Sequence, residues 1–216
     1  DLEDDFELKR FLFLLSKENL LNKKLDNLKT LKIKEEERIE REFYTKYKSI
    51  RSKIVSQIIE DNKTYNADVL IEKSQKLLDR FLFIAFCEDK NIIPANSYKT
   101  MVLSSNENLT KHELFTMLCR NIDKGNKQKG INKFNGGLFK YDEILDDLVL
   151  DNVIFTELIT LADYDFKTDV DENILGRIFE QSISDLEELK NDTLGIETDK
   201  KKGKRKKDGV FYTPSR

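Results

Sequence analysis

The sequence predicts an all-α protein: an elongated multi-helix bundle that opens on a long N-terminal helical hairpin. Only two prolines and eight glycines punctuate 216 residues, so little in the chain stops a helix. Apolar residues recur at steps of three and four, the spacing of one helix face. Helix-start signals stand where such stripes begin, the clearest being the capping-box pattern Thr110-Lys-His-Glu113 ahead of Leu114 and Phe115.

In order along the chain, a first helix over about 3–29 carries Phe11, Leu14, Leu15, Leu21, Leu25 and Leu28. A second shows one stripe, Ile39, Phe43, Tyr47, Ile50, Ile54 and Ile58, with Glu, Lys and Arg on its other faces. These two helices are expected to pair as the hairpin, over residues 1–64. A third starts at a cap on Asn66 or a neighbour and runs to about Lys90. Its segment 77–87 is apolar nearly all round, which places it at the centre of the bundle. Pro94 prevents its simple continuation. The helix begun at Thr110 ends between Asn121 and Gly125, and residues 124–140 read as a loop with a tight turn at Asn135-Gly136-Gly137. Asp151 caps a helix holding Val153, Ile154, Leu158 and Leu161. Asp169 or Asp171 opens the last one, with Ile174, Ile178, Leu186 and Leu189 inward. Residues 65–190 thus form a helical body. Gly176 inside that last helix points to close helix packing, since glycine there costs up to about 1 kcal/mol against alanine. Residues 191–208 lose the periodicity and read as a basic, flexible linker.

Composition excludes several classes. No apolar run approaches the ~20 residues of a membrane-spanning helix; the longest covers 81–87. A net charge of −3 leaves no global nucleic-acid signature, although Lys200, Lys201, Lys202, Lys204, Arg205, Lys206 and Lys207 form a local basic block. Each of them could neutralise a DNA phosphate. Cys87 and Cys119 sit inside apolar helical patterns and read as reduced core residues of a cytoplasmic protein. A single histidine, His112, read as an exposed helix start, leaves no ligand set for a structural zinc. No signal-peptide pattern is visible. A start at Asp1 rather than Met is expected to be an artificial boundary.

The last residues break the helical pattern. Gly209 leads into Val210-Phe211-Tyr212, a short strand-like run, and Pro214 disfavours helix at Thr213. Residues 209–216 are therefore expected to begin another domain. The run Gly209-Val-Phe-Tyr-Thr-Pro214 resembles the entry into the methyltransferase domain of bacterial adenine-N6 DNA methyltransferases. More narrowly, it resembles fused restriction-modification enzymes of the type IIG kind, in which nuclease, helical connector, methyltransferase and target-recognition domain share one polypeptide. Three further stretches are similar to that connector, in the same order: Arg80-Phe-Leu-Phe-Ile-Ala-Phe-Cys-Glu-Asp-Lys-Asn-Ile-Ile-Pro94, Phe134-Asn-Gly-Gly-Leu-Phe139 and Ile174-Leu-Gly-Arg-Ile-Phe-Glu-Gln181. The resemblance covers most of 65–216. It implies a bacterial parent protein that binds DNA, methylates adenine at N6 with S-adenosylmethionine and, with a fused nuclease, cleaves DNA with magnesium. A phage-defence methyltransferase without a fused nuclease fits the same stretches. The resemblance places Tyr212, Thr213 and Pro214 beside the S-adenosylmethionine pocket.

The residues themselves point away from catalysis within this chain. An adenine-N6 methyltransferase needs an Asn-Pro-Pro-aromatic motif to hold the flipped base, and the only prolines are Pro94 and Pro214, with no Gly-x-Gly for a cofactor loop. Three Glu-x-Lys triplets, at Glu7, Glu88 and Glu188, spell part of a nuclease metal site. They lie in helical pattern rather than on a strand, and read as solvated helix ends. Phe81, Phe83 and Phe86 read as core, not as a base-stacking platform. The expected role is that of a stiff spacer, because each helical residue adds about 1.5 Å of reach. The alternative is a stand-alone helical module that binds a protein or DNA.

Overall fold

The computed structural model describes residues 4–104 and 108–194. Among them are eight α-helices and no strand, as the apolar spacing requires. The helices are α1 (Asp5–Leu14), α2 (Lys17–Leu21), α3 (Lys24–Asp61), α4 (Ala67–Asp89), α5 (Ser97–Met101), α6 (Lys111–Lys124), α7 (Asn152–Leu158) and α8 (Glu172–Leu194). The chain divides into two compact units, Asp1–Glu42 and Phe43–Arg216. The division falls inside α3, where its apolar stripe begins at Phe43, rather than at the 64/65 boundary read from the sequence.

In the first unit, the single helix expected over 3–29 is interrupted twice. Ser16 leaves the helical conformation to cap α2, accepting a hydrogen bond from the Asn19 N–H, and Lys23 takes a left-handed φ of 52°. From Lys24 onward α3 is continuous, so the expected hairpin of two long helices over 1–64 is not formed. The stretch 29–39, where a hairpin needs its turn, contains no glycine or proline. Ion pairs one helical turn apart, Lys32–Glu36, Arg38–Glu35 and Arg38–Glu42, favour helix through it. No residue of α1 or α2 is buried.

The second unit holds the core. Phe43, Tyr47, Ile50, Ile54 and Ile58 of α3 are buried, five of the six residues of the stripe read from the sequence, while Ile39 is half-buried and falls in the first unit. Helix α4 is central: Leu70, Ile71, Leu77, Leu78, Phe81, Leu82, Ile84 and Ala85 are all buried. Aromatic edges carry the packing onward, Phe81 to Tyr98 at 4.9 Å, Tyr98 to Phe115 at 6.0 Å and Phe115 to Phe155 at 5.6 Å, tying α4 to α5, α6 and α7. Three of the expected caps form, while Asn66 stands at the start of α4 without a side-chain cap bond. Thr110 and Glu113 make both bonds of the capping box, Asp151 accepts from the Val153 N–H, and Asp171 accepts from Asn173 and Ile174. Helix α8 runs to Leu194, four residues past the expected end of periodicity.

Two expectations are corrected here. His112 is not at an exposed helix start: it is 6% exposed, stacks on Phe155, and places Nδ1 3.1 Å from the Leu148 carbonyl. Burial holds its imidazole below the ordinary value, favouring the neutral form. The sequence could not show this, because the segment that covers it lies 36 residues away. Gly176 does not mark close helix packing, for nothing lies within 4 Å of a Cβ built there. Gly176→Ala is therefore expected to raise stability by about 0.5–1 kcal/mol. Urea denaturation checks this, and an unchanged or lower midpoint would show a constraint that the free space does not reveal.

Candidate functional site

Tyr212, Thr213 and Pro214, and the basic residues Lys200, Lys201, Lys202, Lys204, Arg205, Lys206 and Lys207, lie outside the described residues. The Glu-x-Lys triplet at Glu88 serves architecture. Glu88 accepts from the Tyr98 N–H at 2.7 Å, Asp89 accepts from the Phe166 N–H at 2.8 Å, and Lys90 pairs with Glu172. Among the described residues no group of three or more His, Cys, Asp or Glu is placed to hold a metal ion.

The three stretches that carry the family resemblance meet in space. Arg80, 1% exposed, donates from Nε to the Leu138 carbonyl at 2.9 Å and from Nη2 to the Lys140 carbonyl at 2.7 Å. Its Nη1 reaches Asp146 Oδ1 at 2.7 Å. One guanidinium on α4 thus pins the whole 138–146 segment. Phe134 and Phe139 then close on Phe83, with ring centroids 4.9 and 5.6 Å away. The turn between them needs glycine at 136, because a Cβ there would overlap the Phe134 ring. The third stretch lies in α8, which packs on α4 through buried Ile174, Leu175 and Ile178.

Beside this pin, Asp142 accepts from Lys73 and Lys76, both at 2.8 Å, and from the Leu145 N–H at 3.0 Å. Burial opposes its ionisation, but the N–H and the two ammonium groups outweigh burial and hold the carboxyl below the usual carboxylate range. The segment is therefore held by charge at two points, and by buried Phe139 against Phe83 and Phe134.

A second polar cluster lies where α3, α4 and α8 meet. Gln75 Nε2 donates to Tyr47 Oη at 2.8 Å and to Asp79 Oδ1 at 2.7 Å. Arg51 Nη1 donates to the Ser182 carbonyl at 3.1 Å, and Tyr44 donates to Asp185 at 2.6 Å. Arg51 Nε and Gln75 Oε1 are buried without a hydrogen-bond partner. Burial pushes the Asp79 carboxyl up to about 6, so this cluster can take up a proton near neutrality. The available nucleophiles are not activated: burial pushes the Tyr47 phenol up to about 12 and the Cys87 and Cys119 thiols up to about 11 and about 12. Sequence reading missed both clusters. The signal was present as polar Ser74, Gln75, Asp79 and Arg80 inside an apolar helix, but nothing local named their partners.

Comparison of the chain with protein-family models, with curated proteins and with solved structures finds no match in any of the three.

Proposed function

We propose that this chain is the helical connector of a DNA-modifying enzyme, a rigid body that positions an S-adenosylmethionine-dependent adenine-N6 methyltransferase domain, and a magnesium-dependent nuclease where one is fused. The supporting observation is the Arg80 pin. The stretches similar to such connectors, far apart in sequence, join into one packed unit, in which Arg80 of the first holds Leu138 of the second together with the adjoining Lys140 and Asp146. A body of that kind transmits position, and the chemistry belongs to Tyr212, Thr213, Pro214 and the domain they open. The basic run 200–207 contacts DNA phosphates in this reading.

The natural full-length protein tests it. Incubated with duplex DNA and labelled S-adenosylmethionine, it is expected to produce N6-methyladenine. Label on cytosine, or none on DNA over a panel of sequences, overturns the reading. A second reading, a helical protein-interaction module, draws on the first unit, where Phe6, Leu12, Phe13 and Leu21 are more than half exposed. It gains if no label reaches DNA.

A further inference from the structure

Many lysines of the second unit sit on carboxylates, although exposed Lys63, Lys99 and Lys167 do not. Lys48 pairs with Asp185, Lys53 with Glu157, Lys73 and Lys76 with Asp142, Lys90 with Glu172, and Lys190 with Asp68 and Glu72. The loop after α6 concentrates lysines that do not. Residues 124–140 contain five lysines and no acid, in a chain whose net charge is −3. Lys124, Lys127, Lys129 and Lys133 are exposed and make no ion pair with any described residue.

The fold gathers these four cations. Asn126 N–H donates to the Ile131 carbonyl at 2.7 Å and Ile131 N–H returns a bond to Asn126 at 3.0 Å, closing residues 127–130 into a tight loop. Asn126 Oδ1 caps the loop by accepting from the Lys129 N–H. A Cβ on Gly125 would lie 3.0 Å from the Lys133 backbone nitrogen, so the chain returns alongside its own start and brings Lys133 next to Lys124. Buried Ile131 and the bond from Phe134 N–H to the Ile122 carbonyl, 2.8 Å, anchor the loop to the core. Of the acids that follow it, Asp142 is used by two lysines and Asp146 by Arg80, while Glu143 and Asp147 make no ion pair with a described residue.

We propose that this loop is a docking surface for the phosphate backbone of duplex DNA, separate from the basic run at 200–207. The assignment rests on the connector reading above. A solvated loop is the simpler account of Lys124 alone, since a cation in the last turn of a helix meets its dipole. It does not explain three more unpaired cations on a segment held by backbone hydrogen bonds. A pre-ordered loop loses little conformational freedom when it binds. Lysine offers a point charge rather than a bidentate fork, and the loop's two aromatic residues, Phe134 and Phe139, are packed against each other and against Phe83. Without rings for stacking, the surface recognises backbone phosphates and not bases. Exposed Gln128 and Asn132 add neutral donors for phosphate oxygens.

The test is fluorescence anisotropy of the 216-residue chain with a short duplex across a salt series. Lys127→Glu, Lys129→Glu and Lys133→Glu, combined, are expected to flatten the log–log salt slope by about 2.7, at about 0.9 per lost phosphate contact, and to weaken binding at low salt by at least about tenfold. The same three positions changed to Gln give a smaller loss in the same direction, with less risk to solubility. A parallel variant with Lys200→Glu, Lys202→Glu and Lys206→Glu separates the two basic segments. Binding that survives the loop variant and disappears in the parallel one overturns the proposal, as does no duplex binding by the unaltered chain at low salt. Competition by polyglutamate as effective as that by unlabelled duplex overturns the assignment to DNA. The methylation assay fails independently: loop-dependent duplex binding with no methyl transfer sinks the connector reading and leaves the loop's partner standing.

Discussion

Replacing Arg80 with alanine is expected to lower stability by about 3–5 kcal/mol, because it breaks a buried ion pair from one side. Asp146, 4% exposed at its side chain, keeps only Arg120 at 4.0 Å and the Asp142 N–H. The Leu138 and Lys140 carbonyls lose their donors at the same time, and buried acceptors without partners are costly to leave unmade. For a chain of this size the thermal midpoint falls on the order of 10 °C. A double change, Arg80→Met with Asp146→Leu, removes both charges and is expected to recover a large part of the loss. Thermal melts of the two variants decide the matter. If the single substitution melts within about a degree of the parent, the guanidinium is not what holds the 138–146 segment.

The second large effect has the opposite sign. Asp79→Asn is expected to stabilise the protein at pH 7 by about 2–3 kcal/mol, at about 1.4 kcal/mol per pH unit of displacement. The Asp79 carboxyl titrates near 6 when folded and at an ordinary 3.8 when unfolded, chiefly because burial penalises its charge. The folded state therefore holds this proton more tightly than the unfolded chain does. Below pH 4 both states are protonated and Asp79 costs nothing. Between about pH 4 and 6 the unfolded chain ionises first, and the contribution to stability falls as pH rises. Above 6 the penalty is complete. The amide avoids it while leaving Gln75 an oxygen to bond. Urea denaturation of both proteins from pH 4 to 7.5 should show the gap opening across that window. Parallel curves would mean that Asp79 is better solvated than its surroundings suggest. Asp142 contributes in the reverse sense, its stabilisation being lost only as pH falls below the ordinary carboxylate range, so it leaves this window undisturbed.

Much of the second unit was legible in the sequence because its signals are local. The stripe from Phe43 to Ile58, the Thr110–Glu113 box and the caps at Asp151 and Asp171 each act within a few residues, and each forms; the turn expected at 135–137 closes later, through the bond from the Lys140 N–H to the Gly137 carbonyl. The hairpin over 1–64 was misread for a related reason. Apolar spacing reports which face of a helix is buried but not where a charged helix stops. With no glycine or proline between 29 and 39, i,i+4 pairs carry α3 through. In the first unit, cap residues such as Ser16 interrupt a pattern that spacing alone reads as continuous.

The sequence by itself determined the helical class, the central place of α4 and most helix starts, since propensity, capping and periodicity are properties of neighbouring residues. Only the tertiary structure decided that Arg80 meets Asp146 and two carbonyls some 60 residues on, that His112 is covered by Leu148, and that Lys124, Lys127, Lys129 and Lys133 make no ion pair with any described residue. The physical reason is that a charge or hydrogen bond is satisfied by whatever lies within a few ångströms in space. The order of residues along the chain sets that neighbour only once the helices have packed.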